Sequence, residues 1–312
     1  MNKKKFKNVL VVLGGNSGER AVSLDSVKAC IKALKKKGYK VSLFDPKFKN
    51  LNLINKNNVD VIFNALHGKG GEDGIAQTYF EYLKIPYTHS GVISSHNSMN
   101  KIISKEIFVK KKITTPKFFT LNKKNFNAQR LKKNIIKNKI KFPIVAKPVD
   151  EGSSLGVVMC KNNKELLKKT KKLLKKYNQL IFEEYVGGQE IQVAVINGKP
   201  LGAIELVPKR LFYDYKAKYT KSAKTKHIMP ARLNKTSYNE VLKIAKKAHQ
   251  VLGCKGITRS DFKYCNNKFY LLEINTQPGM TNLSLVPEIA SFKGLSFENL
   301  VEKILLDASI NR

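Results

Sequence analysis

The chain has 312 residues, too many for one simple core, so two or three domains are expected. A hydrophobic share of 42% is ordinary for a globular protein, and no apolar run approaches the length that spans a bilayer. The net charge of +36 raises the idea of nucleic-acid binding, but the charge is nearly all Lys, with six Arg, spread over the whole chain. Lys, Asn and Ile are abundant together, as in a compositional bias of the source genome. Direct base readout favours Arg and stacking platforms need clustered aromatics, and neither is present. A basic nucleic-acid-binding protein therefore stands only as the non-enzyme alternative.

The start, "MNKKKFKNVLVVLGG", imitates a secretion signal, but the apolar run is only Val9 to Leu13 and glycines follow it. It is read as the first strand of a cytoplasmic enzyme. A helix is predicted from about Ala21 to Lys37, with Val27, Ile31 and Leu34 on one face and Gly38 as its stop. "KVSLFD" and "VDVIFNAL" are further strands, and the second leads through "HGKGGEDG" into the helix "IAQTYFEYL". This βαβ pattern predicts a parallel sheet covered by helices. In "GGNSGERAVSL" the glycines turn the chain at a strand's carboxyl end, where α/β proteins place ligands, although Glu19 and Ser23 could equally be helix caps. His67 heads the second glycine-rich loop and is a better site candidate there than a lone His elsewhere.

"NKIKFPIVAKPVDEGSSLGVVMC" holds two strands around a Gly/Ser loop. Such a loop offers backbone N–H groups to phosphate oxygens, with Lys147 upstream as a point charge; a surface hairpin turn is the plainer reading. An amphipathic helix follows, with Leu166, Leu167, Leu173, Leu174 and Tyr177 on one stripe and a capping-box spacing at Asn162 and Glu165. "QLIFEEYV" is the next strand, and its acidic end would suit an adenine pocket or simply be exposed. After strands at "IQVAVING" and "LGAIELV", the polar stretch "KRLFYDYKAKYTKSAKTKHI" reads as a long loop, and loops of that length are usually lids or disordered. Ser237 and Glu240 are expected to open a helix that Gly253 closes. The four cysteines form no C-x-x-C pair and are read as reduced core thiols.

"GITRSDFKYCNNKFYLLEIN" reads as an antiparallel hairpin turning near Asn266-Asn267. Arg259 and Asp261 alternate on its first strand, and Glu273 and Asn275 on its second. The sum of 261 and 273 is even, so an odd loop of three or five residues would place all four on one face; a tight two-residue turn would not. The odd loop is expected. Two carboxylates and an amide oxygen would then form a hard-cation set, or Arg259 would form a structural salt bridge with a carboxylate.

Taken together, "GGNSGERAVSL", "ALHGKGGEDG", "KPVDEGSSLG", "FYDYKAKY", "GCKGITRSDF" and "LLEINTQPGMT…SLVPEIA" resemble the D-alanine–D-alanine ligase family of the ATP-grasp superfamily, in the family's order and over almost the whole chain. The resemblance implies a mixed α/β, three-domain ATP-grasp fold: an N-terminal Rossmann-like parallel-sheet domain over 1–97, and two domains gripping ATP over 98–186 and 187–312. It implies that ATP phosphorylates the carboxylate of one D-alanine and that the amine of a second attacks, for peptidoglycan precursor synthesis. ATP would be a substrate, with Mg²⁺ or Mn²⁺ as cofactor and a homodimer as a possible assembly; no nucleic acid or membrane is implied.

By motif, Lys101 and Lys147 should hold the ATP phosphates, Glu183, Glu184 and Val186 the adenine, and Glu190 the ribose. Asp261, Glu273 and Asn275 should bind the cation. Glu19 would orient the first ammonium and form a triad with Ser153 and Tyr219, with His67 beside the first substrate. Arg259 and the Gly279 N–H should stabilise the oxyanion, and Lys218, Ser284 and Leu285 should take the second carboxylate. The lid is assigned to about Lys209 to Ile228. Two positions test the pattern. Asn100 precedes Lys101 where an acid is usual, and is expected to affect a helix end rather than the chemistry. Tyr219 stands where relatives making D-alanyl-D-lactate have His, which favours the amine nucleophile; D-lactate or another carboxylate–amine pair is the alternative.

Overall fold

The computed structural model describes residues 5–208, 225–281 and 283–312. The chain opens with a parallel layer in which β1 (Asn8–Val12) lies between β2 (Lys40–Phe44) and β3 (Val61–Asn64). Strand β1 is continuously apolar because both its faces are covered. Val9 and Val11 pack with Val27 and Leu34 of α1 (Arg20–Lys36), while Leu10 and Val12 pack with Phe80 of α2 (Ile75–Tyr82) and with Tyr87. Two helices follow, α3 (Val92–Met99) and α4 (Lys101–Lys110). Asn100 caps α4, its side-chain oxygen accepting from the N–H groups of Ile102 at 3.0 Å and Ile103 at 3.2 Å, so the missing acid is replaced by an ordinary cap.

The second sheet is antiparallel, in the order β4 (Phe118–Asn122), β7 (Gln179–Glu184), β5 (Ile144–Pro148), β6 (Val158–Cys160). Leu131 and Ile135 of α5 (Ala128–Lys137) and Leu166 and Leu174 of α6 (Asn163–Lys176) bury against Ile144, Leu180 and Phe182. Asn162 caps α6 by accepting from the Glu165 N–H at 3.0 Å, and Glu165 accepts from the Lys161 N–H at 3.2 Å, one residue short of the expected reciprocal bond.

The third sheet runs β10 (Lys226–Ile228), β9 (Lys199–Val207), β8 (Gln189–Ile196), β11 (Ile257–Cys265), β12 (Lys268–Asn275), all antiparallel. The expected loop of 209–228 therefore ends in a strand, because Lys226–Ile228 pairs with the edge of β9; its residues 209–224 lie outside the described ones. Helix α7 (Lys235–Val251) packs Val241, Ala245 and Ala248 on Val193, Phe262 and Leu271. It opens at Asn234 rather than Ser237: Asn234 accepts from the Ser237 N–H at 2.8 Å, and the Ser237 hydroxyl lies 3.0 Å from the Tyr264 hydroxyl. Helices α8 (Leu285–Phe292) and α9 (Phe297–Leu306) complete a core shared with β1 and α1.

The hairpin of β11 and β12 corrects the loop parity. Cys265 pairs with Lys268, so the turn has only the two residues Asn266 and Asn267, at φ 49° and 56°. Both lie in the left-handed region that a two-residue hairpin of the primed type demands, and Asn tolerates it. The register is restored within the strand, where a bulge between Asp261 and Phe262 leaves Leu272 extra and sets Asp261 opposite Glu273. Replacing Asn267 by Val should lower stability by about 1–2 kcal/mol in urea denaturation, while Asn267→Gly should not. Equal loss in both would overturn the turn assignment.

Candidate active site

Two adjoining clefts lie where the three sheets meet. The first is lined by Val145, Lys147, Glu183, Glu184, Val186 and Glu190, with Asp261 and Leu272 from the hairpin. The second is lined by Glu19, His67, Ser153, Arg259, Asn275 and Gly279, and by Ser284 and Leu285 where α8 begins. Lys101, Glu151 and Glu273 line both. The residues picked from the sequence thus fall into two groups with a common wall. Lys218 and Tyr219 lie outside the described residues.

That wall sets one ammonium against two glutamates. Lys101, at the start of α4, donates to the Glu151 carbonyl, and its ammonium lies 3.9 Å from Glu273. Burial pulls the Lys101 pKa down, against the upward pull of Glu273. Lys147, in the first cleft, lies 2.8 Å from Glu183 Oε1, and Lys105, buried behind that carboxylate, lies 3.2 Å from the same oxygen. Burial would raise the Glu183 pKa, but the two lysines outweigh it and hold the group below the usual carboxylate range. Glu190 pairs with Lys263 at 2.9 Å.

Arg259, Asp261, Glu273 and Asn275 share one face of the hairpin, as Arg259 pairs with Asn275 and Asp261 with Glu273. Arg259 donates to both oxygens of Asp261, at 2.7 and 3.0 Å, so the salt-bridge reading is realised. Asn275 accepts from the Gln277 N–H at 2.9 Å. Among the described residues no group of three or more His, Cys, Asp or Glu is gathered for a metal. The set of two carboxylates and one amide oxygen fits a hard cation whose other ligands are phosphate oxygens, since Mg²⁺ commonly takes only one or two carboxylates beside a substrate.

Glu19 stands at the head of α1 but makes no capping bond with its side chain. Ser23 does not cap either: its hydroxyl donates to the Ala65 carbonyl at 2.6 Å and accepts from the Gly14 N–H at 2.8 Å. Glu19 instead accepts from the Ser153 hydroxyl, joining the first βα turn to the Gly/Ser loop. Glycines flank this carboxylate on both sides, for a Cβ at Gly68 or at Gly152 would push Glu19 Oε2 from its place. Ser153 and Ser154 hold left-handed backbone, at φ 48° and 60°, which non-glycine residues adopt at a cost.

Glu72 and Lys105 were missed in the sequence. Glu72 sits inside the quoted "HGKGGEDG" loop, and Lys105 lies one helical turn after Lys101; these spacings were the available signals. His67 Nδ1 lies 2.7 Å from Glu72 in a buried pair. Burial works against the imidazolium, yet the hydrogen bond to Glu72 and the charges of Glu72 and Glu19 outweigh it, so the His67 pKa is raised. The pair thus adds stability below pH 6.5 and loses it as pH rises through the raised value. In an imidazole NMR titration, Glu72→Gln should bring the His67 pKa below 6.5; an unchanged value would overturn the pairing.

Comparisons with known proteins give the family and the fold. The family model for the D-ala D-ala ligase C-terminus matches residues 107–306, and that for the N-terminus matches residues 44–90. The D-alanine–D-alanine ligase of Pelagibacter ubique is 56% identical over 310 residues, covering 98% of this chain and 99% of the relative. That of Geotalea uraniireducens is 40% identical, covering 98% and 97%. The crystal structure of a D-alanine–D-alanine ligase from Bacillus anthracis superposes with a TM-score of 0.85 at 32% identity, over 96% of this chain and 97% of that one. A D-alanine–D-alanine ligase from Bacillus anthracis complexed with ATP gives a TM-score of 0.84 at 29% identity, over 96% and 97%. The fold is the ATP-grasp arrangement of these ligases, and the chain belongs to the D-alanine–D-alanine ligase family.

Proposed function

We propose that the protein joins two D-alanines into D-alanyl-D-alanine at the expense of ATP, releasing ADP and phosphate, in the cytoplasm, for peptidoglycan synthesis. The observation that carries this is the common wall of Lys101, Glu151 and Glu273: a phosphoryl group crossing from one cleft to the other must pass it. We take the first cleft as the ATP site and the second as the D-alanine site. The working division into units at 1–97, 98–186 and 187–312 is supported by a separate sheet in each, although Phe108 of α4 packs with the third.

Glu183, Glu184 and Val186 hold the adenine, Glu190 the ribose, and Lys101 and Lys147 the phosphates. The 150–156 loop, with its left-handed serines, presents backbone N–H groups to the transferring phosphate. Mg²⁺ or Mn²⁺, held by Asp261, Glu273 and Asn275, supplies charge neutralisation for phosphoryl transfer. Glu19 binds the ammonium of the first D-alanine, with His67 beside it. A carboxylate oxygen of that D-alanine attacks the γ-phosphorus, ADP leaves, and an acylphosphate forms. Ser284 and Leu285, at the N-terminus of α8, and Lys218 take the carboxylate of the second D-alanine. Its amine attacks the acyl carbon while Arg259 and the Gly279 N–H stabilise the oxyanion, and phosphate departs. Tyr219, which lies outside the described residues, is assigned with Glu19 and Ser153 to shielding the acylphosphate from water.

Phosphate release from ATP should require D-alanine, with L-alanine, D-lactate and no addition at background. Equal release in all four would sink the ligase reading. Glu273→Gln should lower kcat by at least about 10²–10³-fold, as for loss of one electrostatic stabiliser, with the urea midpoint unchanged. Unfolding of that variant would make Glu273 a structural residue.

A further inference from the structure

Lys105 is wholly buried and lines neither cleft. Such an ammonium is costly to bury unless it is paired. Its ammonium donates to the Thr115 hydroxyl at 2.6 Å and contacts Glu183 Oε1 at 3.2 Å. The Thr115 hydroxyl in turn donates to the Leu271 carbonyl at 2.8 Å. Leu271 lies on β12, two residues before Glu273, whereas Glu183 lies on β7 in the other sheet. A continuous polar chain therefore runs from the hairpin of the third sheet to the second-sheet carboxylate that faces the first cleft.

We propose that Lys105 is a positioning residue for the nucleotide: it holds Glu183 charged and aimed into the cleft, and ties that aim to the strand bearing Glu273. The inference rests on reading the first cleft as the ATP site. The physical reason lies in the two cations that meet at one oxygen. Lys147 lines the cleft, so arriving phosphates compete with Glu183 for its ammonium. Lys105 is shut off behind Glu183 and cannot be drawn away. It remains as the counter-charge that keeps Glu183 an acceptor when the nucleotide is bound. Burial pushes the Lys105 pKa down to about 8, partly offset by Glu183, so the ammonium stays largely charged at neutral pH.

The test is a double-mutant cycle of Lys105→Met and Glu183→Gln, read as KM for ATP, KM for D-alanine and kcat. Each single change should raise the KM for ATP about tenfold, with kcat within about threefold and the KM for D-alanine unchanged. The double variant should match Glu183→Gln alone, because Lys105 acts only through that carboxylate. An unchanged KM for ATP in Lys105→Met, or multiplying effects in the double variant, would overturn the inference while the ATP site stands. If Glu183→Gln itself leaves the KM for ATP unchanged, the reading of the cleft fails and takes the inference with it. Should Lys105→Met not fold, Thr115→Val serves instead. It should raise the KM for ATP about threefold without adding to Glu183→Gln, and no rise would count against Lys105.

Discussion

One extra residue in β12 decides which way its chemistry faces. Side chains on a strand alternate, so in a regular ladder Leu271 and Glu273 would share a face. The bulge at Leu272 inserts half a period. Phe269 and Leu271 before it turn into the core, and Glu273 and Asn275 after it turn toward Arg259 and Asp261. The same strand thus keeps Phe269, Leu271 and Ile274 in one hydrophobic cluster while Glu273 and Asn275 face the polar site. Without the phase shift either a carboxylate would enter the core or a leucine would leave it.

The second constraint is charge compensation. Lys101 lies near Glu273, and Lys147 from the cleft side and Lys105 from behind meet Glu183. Buried ammonium and carboxylate groups survive together because each offsets the other's lost hydration. Carboxylates outnumber lysines and arginines in the lining of both clefts, so these lysines act as local counter-charges and not as a net positive surface. The lysines spread over the outer surface are a different matter: they reflect composition, whereas these three are placed by α4 and β5.

Much of this was readable from local signals. Continuous apolar runs gave β1 and β3, glycines marked the turns beside Glu19 and His67, and the Gly/Ser loop sat between two strands as spacing implied. Failures came where two local solutions compete. The parity of the hairpin loop could be met by an odd turn or by a tight turn plus a bulge, and the Asn-Asn pair accepts left-handed backbone well enough to take the tight one. Asn234 and Ser237 are both good caps, and only the packing of Ser237 on Tyr264 chose between them. Helices α8 and α9 do carry apolar residues at helical spacing, Leu285, Val286 and Ile289 in one and Leu300, Val301, Ile304 and Leu305 in the other, but the core these faces close is contributed largely by the first hundred residues, which no local pattern states.

Sequence order alone therefore carried the chemistry: which carboxylates, lysines and glycines are present, and which neighbours share a strand face or a helix turn. Those are short-range properties, set by backbone periods of two and 3.6 residues. Long-range contacts carried the rest. That Glu183 is shared by lysines from β5 and α4, that Ser153 reaches Glu19, and that Glu72 holds His67 depend on packing energies summed over elements far apart in the chain. No local pattern encodes which of many lysines ends beneath a given carboxylate; the sheets and helices must first be assembled.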